Sequence, residues 1–139
     1  MKPITYLLDT NAVIDILREK PLTLQRMNET MESGNHLALC SVVYYEVIRG
    51  LRISKASKQM ENFKRFQMGP IRNLFLDRDG LAVMEKAADI YETLYRGQQI
   101  DDNDIYIAAI AIMNDCVLVT DNEKHFGRVP GLKIVNWRE

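Results

Sequence analysis

The sequence is poor in features that mark several common protein classes. It has two cysteines, Cys40 and Cys116, in 139 residues. That is too few for a disulfide framework. Each lies in or beside an apolar run, so buried free thiols in a reducing cytoplasm are expected. The longest apolar run is the nine residues Ile105–Met113, far short of the ~20 needed to span a bilayer. Lys2 is followed by only a few apolar residues before Asp9, so no secretory leader and no membrane association are expected. The four prolines and seven glycines build no linker or repeat, which predicts a single domain over residues 1–139. Charge of either sign is not in excess. Lys plus Arg number 18 and Asp plus Glu 19, for a net −1, which argues against bulk positive charge as the means of holding nucleic acid.

Several catalytic signatures are missing too. There is no G-x-x-x-x-G-K-[ST], no G-x-G-x-x-G and no G-x-S-x-G, so neither nucleotide cradling nor a serine nucleophile elbow is indicated. His36 and His125 have no zinc spacing with either cysteine. His36 reads as a loop residue, and His125 as a surface residue or a neighbour of a site. A phosphatase with an Asp nucleophile after the first strand would want a second acid two places on, where Asn11 stands. A signalling receiver domain would need a phosphoacceptor after the third strand, where only Asp77 and Asp79 are available.

What is present is 47% hydrophobic and 27% charged, the balance of a folded globular domain. Ile4–Leu8, Leu37–Cys40, Leu74–Leu76, Cys116–Val119 and Leu132–Val135 read as short, continuous apolar strands. Helices are predicted between them. Thr10 or Asn11 caps a short one with Val13, Ile14 and Leu17 inward, and Pro21 opens one that carries Leu24, Met27 and Met31 and stops at Gly34-Asn35. Ser41 caps a third, which closes near Gly50. A fourth spans 54–68, with Met60 and Phe63 inward and Lys55, Lys58 and Arg65 on a shared outer face. The helix over 80–96 has the clearest apolar stripe: Leu81, Met84, Ala88, Tyr91 and Tyr95. The last opens at Asp101–Asp104 and is apolar on nearly all sides through Met113, hence buried. The fold class is therefore α/β, a three-layer α/β/α sandwich with a central parallel sheet of about five strands.

Ligands of an open parallel sheet bind beyond the carboxyl ends of its strands. Asp9 follows the first strand, and Asp121 follows Cys116–Thr120. Glu46 lies five residues past Ser41, about 7 Å along the helix leaving the second strand. Asp104 is in the first turn of the helix leading into the fourth strand, so it starts from the same edge. Taken singly, an Asp after a strand is a helix cap, and Asp104 is an acid favoured by the helix dipole. Glu46 is harder to explain in that way. Its neighbours Tyr44, Tyr45, Val47 and Ile48 predict a largely covered helix, where an unpaired carboxylate is costly. On one rim these acids would repel one another unless a cation sat among them. Hard oxygen donors favour Mg²⁺ or Mn²⁺ over Zn²⁺, and such a site suits phosphodiester hydrolysis.

The same residues carry a resemblance, in order along the chain. Leu8-Asp9-Thr10-Asn11, Ser41 to Glu46 with Gly50 beyond, Asp104-Ile105-Tyr106-Ile107-Ala108-Ala109, and Val119-Thr120-Asp121-Asn122 with Phe126 and Val129-Pro130-Gly131-Leu132 look like a PIN domain. The closing stretch through Trp137 resembles VapC-type toxins. The resemblance implies a PIN-like sheet order of 3-2-1-4-5 and a cytoplasmic, Mg²⁺- or Mn²⁺-dependent endoribonuclease acting on single-stranded or loop RNA. It also implies homodimerisation and a cognate antitoxin protein. Asp9, Glu46 and Asp104 match the family's core acids as metal ligands and catalytic groups. The fourth place falls on Asp121 or Asn122, with Asp121 favoured as a ligand acting through water. Thr10, Asn11, Thr120 and Asn122 would hydrogen-bond the ligands.

Residues 49–72 hold Arg49, Arg52, Lys55, Lys58, Lys64, Arg65 and Arg72 against Glu61, a local +6 that leaves −7 for the rest. Most charge runs are solvated faces. The direct continuation from the Glu46 helix favours contact with RNA phosphates or with the antitoxin, through Arg49, Arg52, Lys55 and Lys58. Phe63, Phe66 and Met68 read as core or dimer contacts. With Asp9, Glu46, Asp104 and Asp121 neutralised by metal, 18 bases face 15 acids, so the near-neutral total is compatible with RNA. Two other readings stay open: a non-catalytic PIN-like module that binds RNA or protein, and a housekeeping PIN nuclease without an antitoxin.

Overall fold

The computed structural model describes residues 2–74, 80–97 and 99–139. Along the chain these form β1 (Thr5–Leu8), α1 (Thr10–Leu17), α2 (Pro21–Glu32), β2 (His36–Cys40), α3 (Ser41–Ile53), α4 (Ser57–Gln67), β3 (Arg72–Leu74), α5 (Gly80–Leu94), α6 (Asp102–Met113), β4 (Cys116–Val119), α7 (Glu123–Phe126) and β5 (Lys133–Val135). The strands make one parallel sheet in the order β3-β2-β1-β4-β5, the order the resemblance implied. β1 is central: Thr5 pairs with His36 on one side and with Cys116 on the other.

Successive strand side chains point to opposite faces. Leu7 and Leu8 are both fully buried, as are Leu118 and Val119 to within 1%, so helices cover both faces of the sheet. On α6, Ile105 and the run Ile107 to Ala111 are all buried, as an all-apolar helix requires. α6 packs on β4, α5 and α3, while α1 packs on α2, α3 and α4. Among the described residues no helix is long and apolar enough to cross a membrane. Cys40 and Cys116 are buried free thiols. Burial pushes their pKa values up to about 12 and about 11, so both stay protonated at neutral pH.

Several local expectations change. Ser41 does not cap α3. The helix starts directly from the strand end, Cys40 takes the capping position in extended geometry, and Ser41 becomes the first helical residue. Its Oγ is buried without a hydrogen-bond partner. Gly50 does not close α3, because it sits in ordinary helical backbone and the helix runs on to Ile53. The chain reverses instead at Lys55, whose φ of 54° is left-handed. Lys55 therefore lies in the link before α4 and does not share a helix face with Lys58 and Arg65. Phe75 and Leu76 of the expected third strand lie outside the described residues, as do Asp77 and Asp79.

The largest correction concerns α5. The stripe Leu81, Met84, Tyr91 and Tyr95 faces outward, with Leu81 86% and Tyr95 65% exposed. The buried face is Val83, Ala87, Ile90 and Leu94. Both stripes have helical spacing, so periodicity alone does not choose between them. Packing chooses the smaller set, because α5 lies against the alanine-rich α6 and a close approach leaves no room for Tyr or Met.

Phe63 joins α4 to α3. It is fully buried, and its ring lies 5.3 Å from that of Tyr44. Phe63→Ala should cost about 3–5 kcal/mol of stability, read as a lower urea midpoint at unchanged slope.

Candidate active site

Asp9 stands at the end of the central strand, 7% exposed. The chain turns there directly into α1. One carboxylate oxygen caps that helix by accepting the Thr10 amide at 2.8 Å. The other accepts the Thr120 hydroxyl at 2.8 Å. Thr120 follows β4, the neighbour of β1, and its own Oγ accepts the Asn122 amide at 3.0 Å. Glu46 comes from the second turn of α3, beyond the opposite neighbour β2. Its Oε1 accepts the Thr10 hydroxyl at 3.0 Å, and its Oε2 lies 3.7 Å from Arg49. Thr10 thus ties Asp9 to Glu46 through its amide and its hydroxyl. Asp104 sits in the first turn of α6, with Oδ2 3.9 Å from His125 Nδ1. Asn122 Nδ2 lies 3.0 Å from the same ring nitrogen.

Asp121 is engaged differently. Its Oδ1 accepts Asn11 Nδ2 at 3.2 Å, and its Oδ2 accepts Arg138 Nη1 at 2.7 Å. Arg138 also grips Asp15 with Nε at 2.7 Å and Nη2 at 3.0 Å. Arg138 and Asp15 had no signal in the sequence. One is a charged residue near the chain end, the other an acid in a short helix, and only the tertiary fold brings them together. Of the basic residues proposed to contact RNA or an antitoxin, Arg49 is committed to Glu46 and stacks 5.0 Å over the Tyr45 ring. Arg52, Lys55 and Lys58 are exposed.

The acids perturb one another. Burial raises the pKa of Asp9 above its usual value, the Thr120 and Thr10 hydrogen bonds oppose that, and the charges of Glu46 and Asp121 push it further up. Asp104 is pushed up to about 6, first by burial and then by the charges of Asp9, Glu46 and Asp101, with His125 opposing. Asp9 and Glu46 thus act on Asp104, and Glu46 and Asp121 on Asp9, although these acids come from the ends of β1 and β4 and from α3 and α6. Their oxygen donors suit a hard divalent cation. As placed, no three His, Cys, Asp or Glu side chains among the described residues form a closed ligand cluster. Coordination through water needs no such cluster, and Mg²⁺ characteristically keeps several waters.

The raised Asp104 pKa fixes the sign of a pH effect. Between 3.8 and about 6 the folded chain holds more protons than the unfolded one, so this group makes stability fall as pH rises through that window. In the presence of chelator, Asp104→Asn should therefore raise the melting temperature well above pH 6 and leave it unchanged below 3.8. Calorimetry at the two pH values checks this.

Residues 6–132 match the family model described as PIN domain. The chain is 30% identical over 132 residues to Ribonuclease VapC2 of Rickettsia felis, covering 95% of this chain and 97% of the relative. It is 31% identical over 127 residues to Ribonuclease VapC19 of Mycobacterium tuberculosis, covering 91% and 96%. Among solved structures it superposes on a chain of VapBC2 from Rickettsia felis bound to a promoter DNA fragment, with a TM-score of 0.82 and 26% identity over 96% of this chain and 99% of the other. DNA-bound VapBC from Salmonella typhimurium gives the same TM-score and identity, covering 96% and 98%. With the sheet order, the ordered acids and these likenesses in agreement, the chain belongs to the PIN-domain family and to the VapC ribonuclease group within it.

Proposed function

We propose that the chain is an endoribonuclease that depends on Mg²⁺ or Mn²⁺, cleaves single-stranded or loop RNA, and acts as the toxin of a toxin–antitoxin pair. The observation that carries this reading is the placement of Asp9, tied through Thr10 to Glu46, and of Asp104 in the first turn of α6 at the carboxyl edge of the sheet. The ribonuclease names of the relatives supply the substrate class.

These three carboxylates would hold the cation. When bound, it lowers the pKa of a water molecule and neutralises charge on phosphate oxygens. The chain's own residues do the positioning. Asp9 is fixed by two hydrogen bonds, from the Thr10 amide and the Thr120 hydroxyl, so its remaining lone pairs keep one direction. The Thr10 hydroxyl orients Glu46. Asn122 holds the His125 ring, through Nδ1 at 3.0 Å, beside Asp104. Arg52, Lys55 and Lys58 are exposed to RNA phosphates or an acidic partner surface from the end of α3 into α4. Arg49, beside Glu46, would screen that acid as a polyanion approaches.

The same reading includes a protein partner and a second copy. The two solved relatives are VapBC complexes, which supports an antitoxin. The outward stripe of α5, with Tyr91 and Tyr95 rings 6.0 Å apart, is an exposed apolar surface suited to a two-fold contact.

Purified chain should cut a single-stranded RNA with Mg²⁺ or Mn²⁺ and not with chelator. Asp9→Asn and Asp104→Asn should each slow cleavage by at least about 100-fold while circular dichroism is unchanged; parent-like cleavage by either variant would remove the assignment. Tyr91→Glu should turn a dimer into a monomer in sedimentation, and an unchanged dimer would place the interface elsewhere. Co-purification of a small protein from the native host tests the antitoxin.

A further inference from the structure

The C-terminal arginine makes a contact that the reaction as described does not use. Asp15 is 5% exposed, an acid buried in α1. Arg138 answers it with a two-pronged contact through Nε and Nη2, and spends its remaining nitrogen, Nη1, on Asp121. Such forked geometry is specific to arginine and fixes the guanidinium plane. The tail is itself anchored. Trp137 is 5% exposed and stacks near Tyr6 at 6.2 Å. Asn11 fills the other side of the Asp121 carboxylate. A cation that took Asp121 as a donor would have to displace a guanidinium held in place by a buried acid, and would then face its positive charge across a few ångströms. Glu46 meets the guanidinium of Arg49 more loosely, at 3.7 Å and through one oxygen.

We propose that Arg138 is a positioning residue that sets how many divalent cations the rim takes: by pairing with Asp121 it keeps this acid out of the donor set, and the site holds one cation on Asp9, Glu46 and Asp104. The proposal rests on the metal-site reading above and departs from the expectation that Asp121 is a ligand. Asp15 acts through Arg138, as the anchor that stops it from swinging away.

The test is equilibrium Mn²⁺ binding to the full chain, without RNA, read by the electron paramagnetic resonance of free Mn²⁺. The parent should bind one ion, and Asp121→Asn should leave its affinity within about threefold, since Asp121 gives the ion no donor atom and Arg138 screens its charge. Arg138→Gln should add a second, weaker site, and adding Asp121→Asn should remove it again. Because Arg138→Gln strands a buried acid, the double variant Asp15→Asn with Arg138→Gln repeats the measurement with both charges gone. A tenfold or greater loss of affinity in Asp121→Asn overturns the proposal, as does the absence of a second site in the folded Arg138 variants. A parent that binds two ions overturns this proposal alone. A parent that binds none overturns the metal site as well.

Discussion

A carboxylate buried at the end of the central strand is the constraint on which the rest of the site depends. Asp9 is only 7% exposed, and a buried charge must be given partners. Its partners come from both sides of β1. Thr120 arrives on β4, while Thr10, from the turn into α1, reaches across to Glu46 beyond β2. That arrangement needs β1 between β2 and β4. In a sheet where β4 did not neighbour β1, Thr120 would have no route to Asp9. The sheet order and the position of the acids are thus one fact seen at two scales.

Crowded acids on one rim are handled in distinct ways. Asp9 is held by hydrogen bonds to its charged form, which oppose the desolvation that raises its pKa. Burial and the neighbouring acids push Asp104 up to about 6. Glu46 has Arg49 beside it. Asp121 and Asp15 share Arg138. The net charge of −1 conceals this sorting. Arg138 is spent close to the acids, and Arg49 is spent on Glu46, outside the basic segment, so that segment presents fewer unpaired charges to a partner than its +6 suggests.

The alternation of apolar strands and helices was legible because continuous strands are the signature of a sheet covered on both faces, and Leu7, Leu8, Leu118 and Val119 are buried accordingly. The acids at the strand ends were legible for the same reason, since a parallel sheet sends its carboxyl termini to one edge. The outward stripe of α5 was not. Met84, Tyr91 and Tyr95 are larger than the Val83 and Ala87 of the opposite face, and side-chain size ranks their stripe first. Close packing against α6 ranks them last. The start of α3 was misread for a related reason: a serine after a strand has cap chemistry, but the helix begins one residue early and leaves its Oγ buried and unpaired.

By itself the sequence determined the α/β class, the strand-end acids Asp9 and Asp121, and the helix-borne Glu46 and Asp104, because period and position relative to strand ends are local properties. Only the tertiary structure decided how the acids are partnered. The charges of Asp9 and Glu46 raise Asp104 across three elements, while Asp121, which also raises Asp9, is drawn to a guanidinium 17 residues away that also holds Asp15, 123 residues from it. Charge pairing depends on distance in space, and no local pattern in the chain encodes that distance.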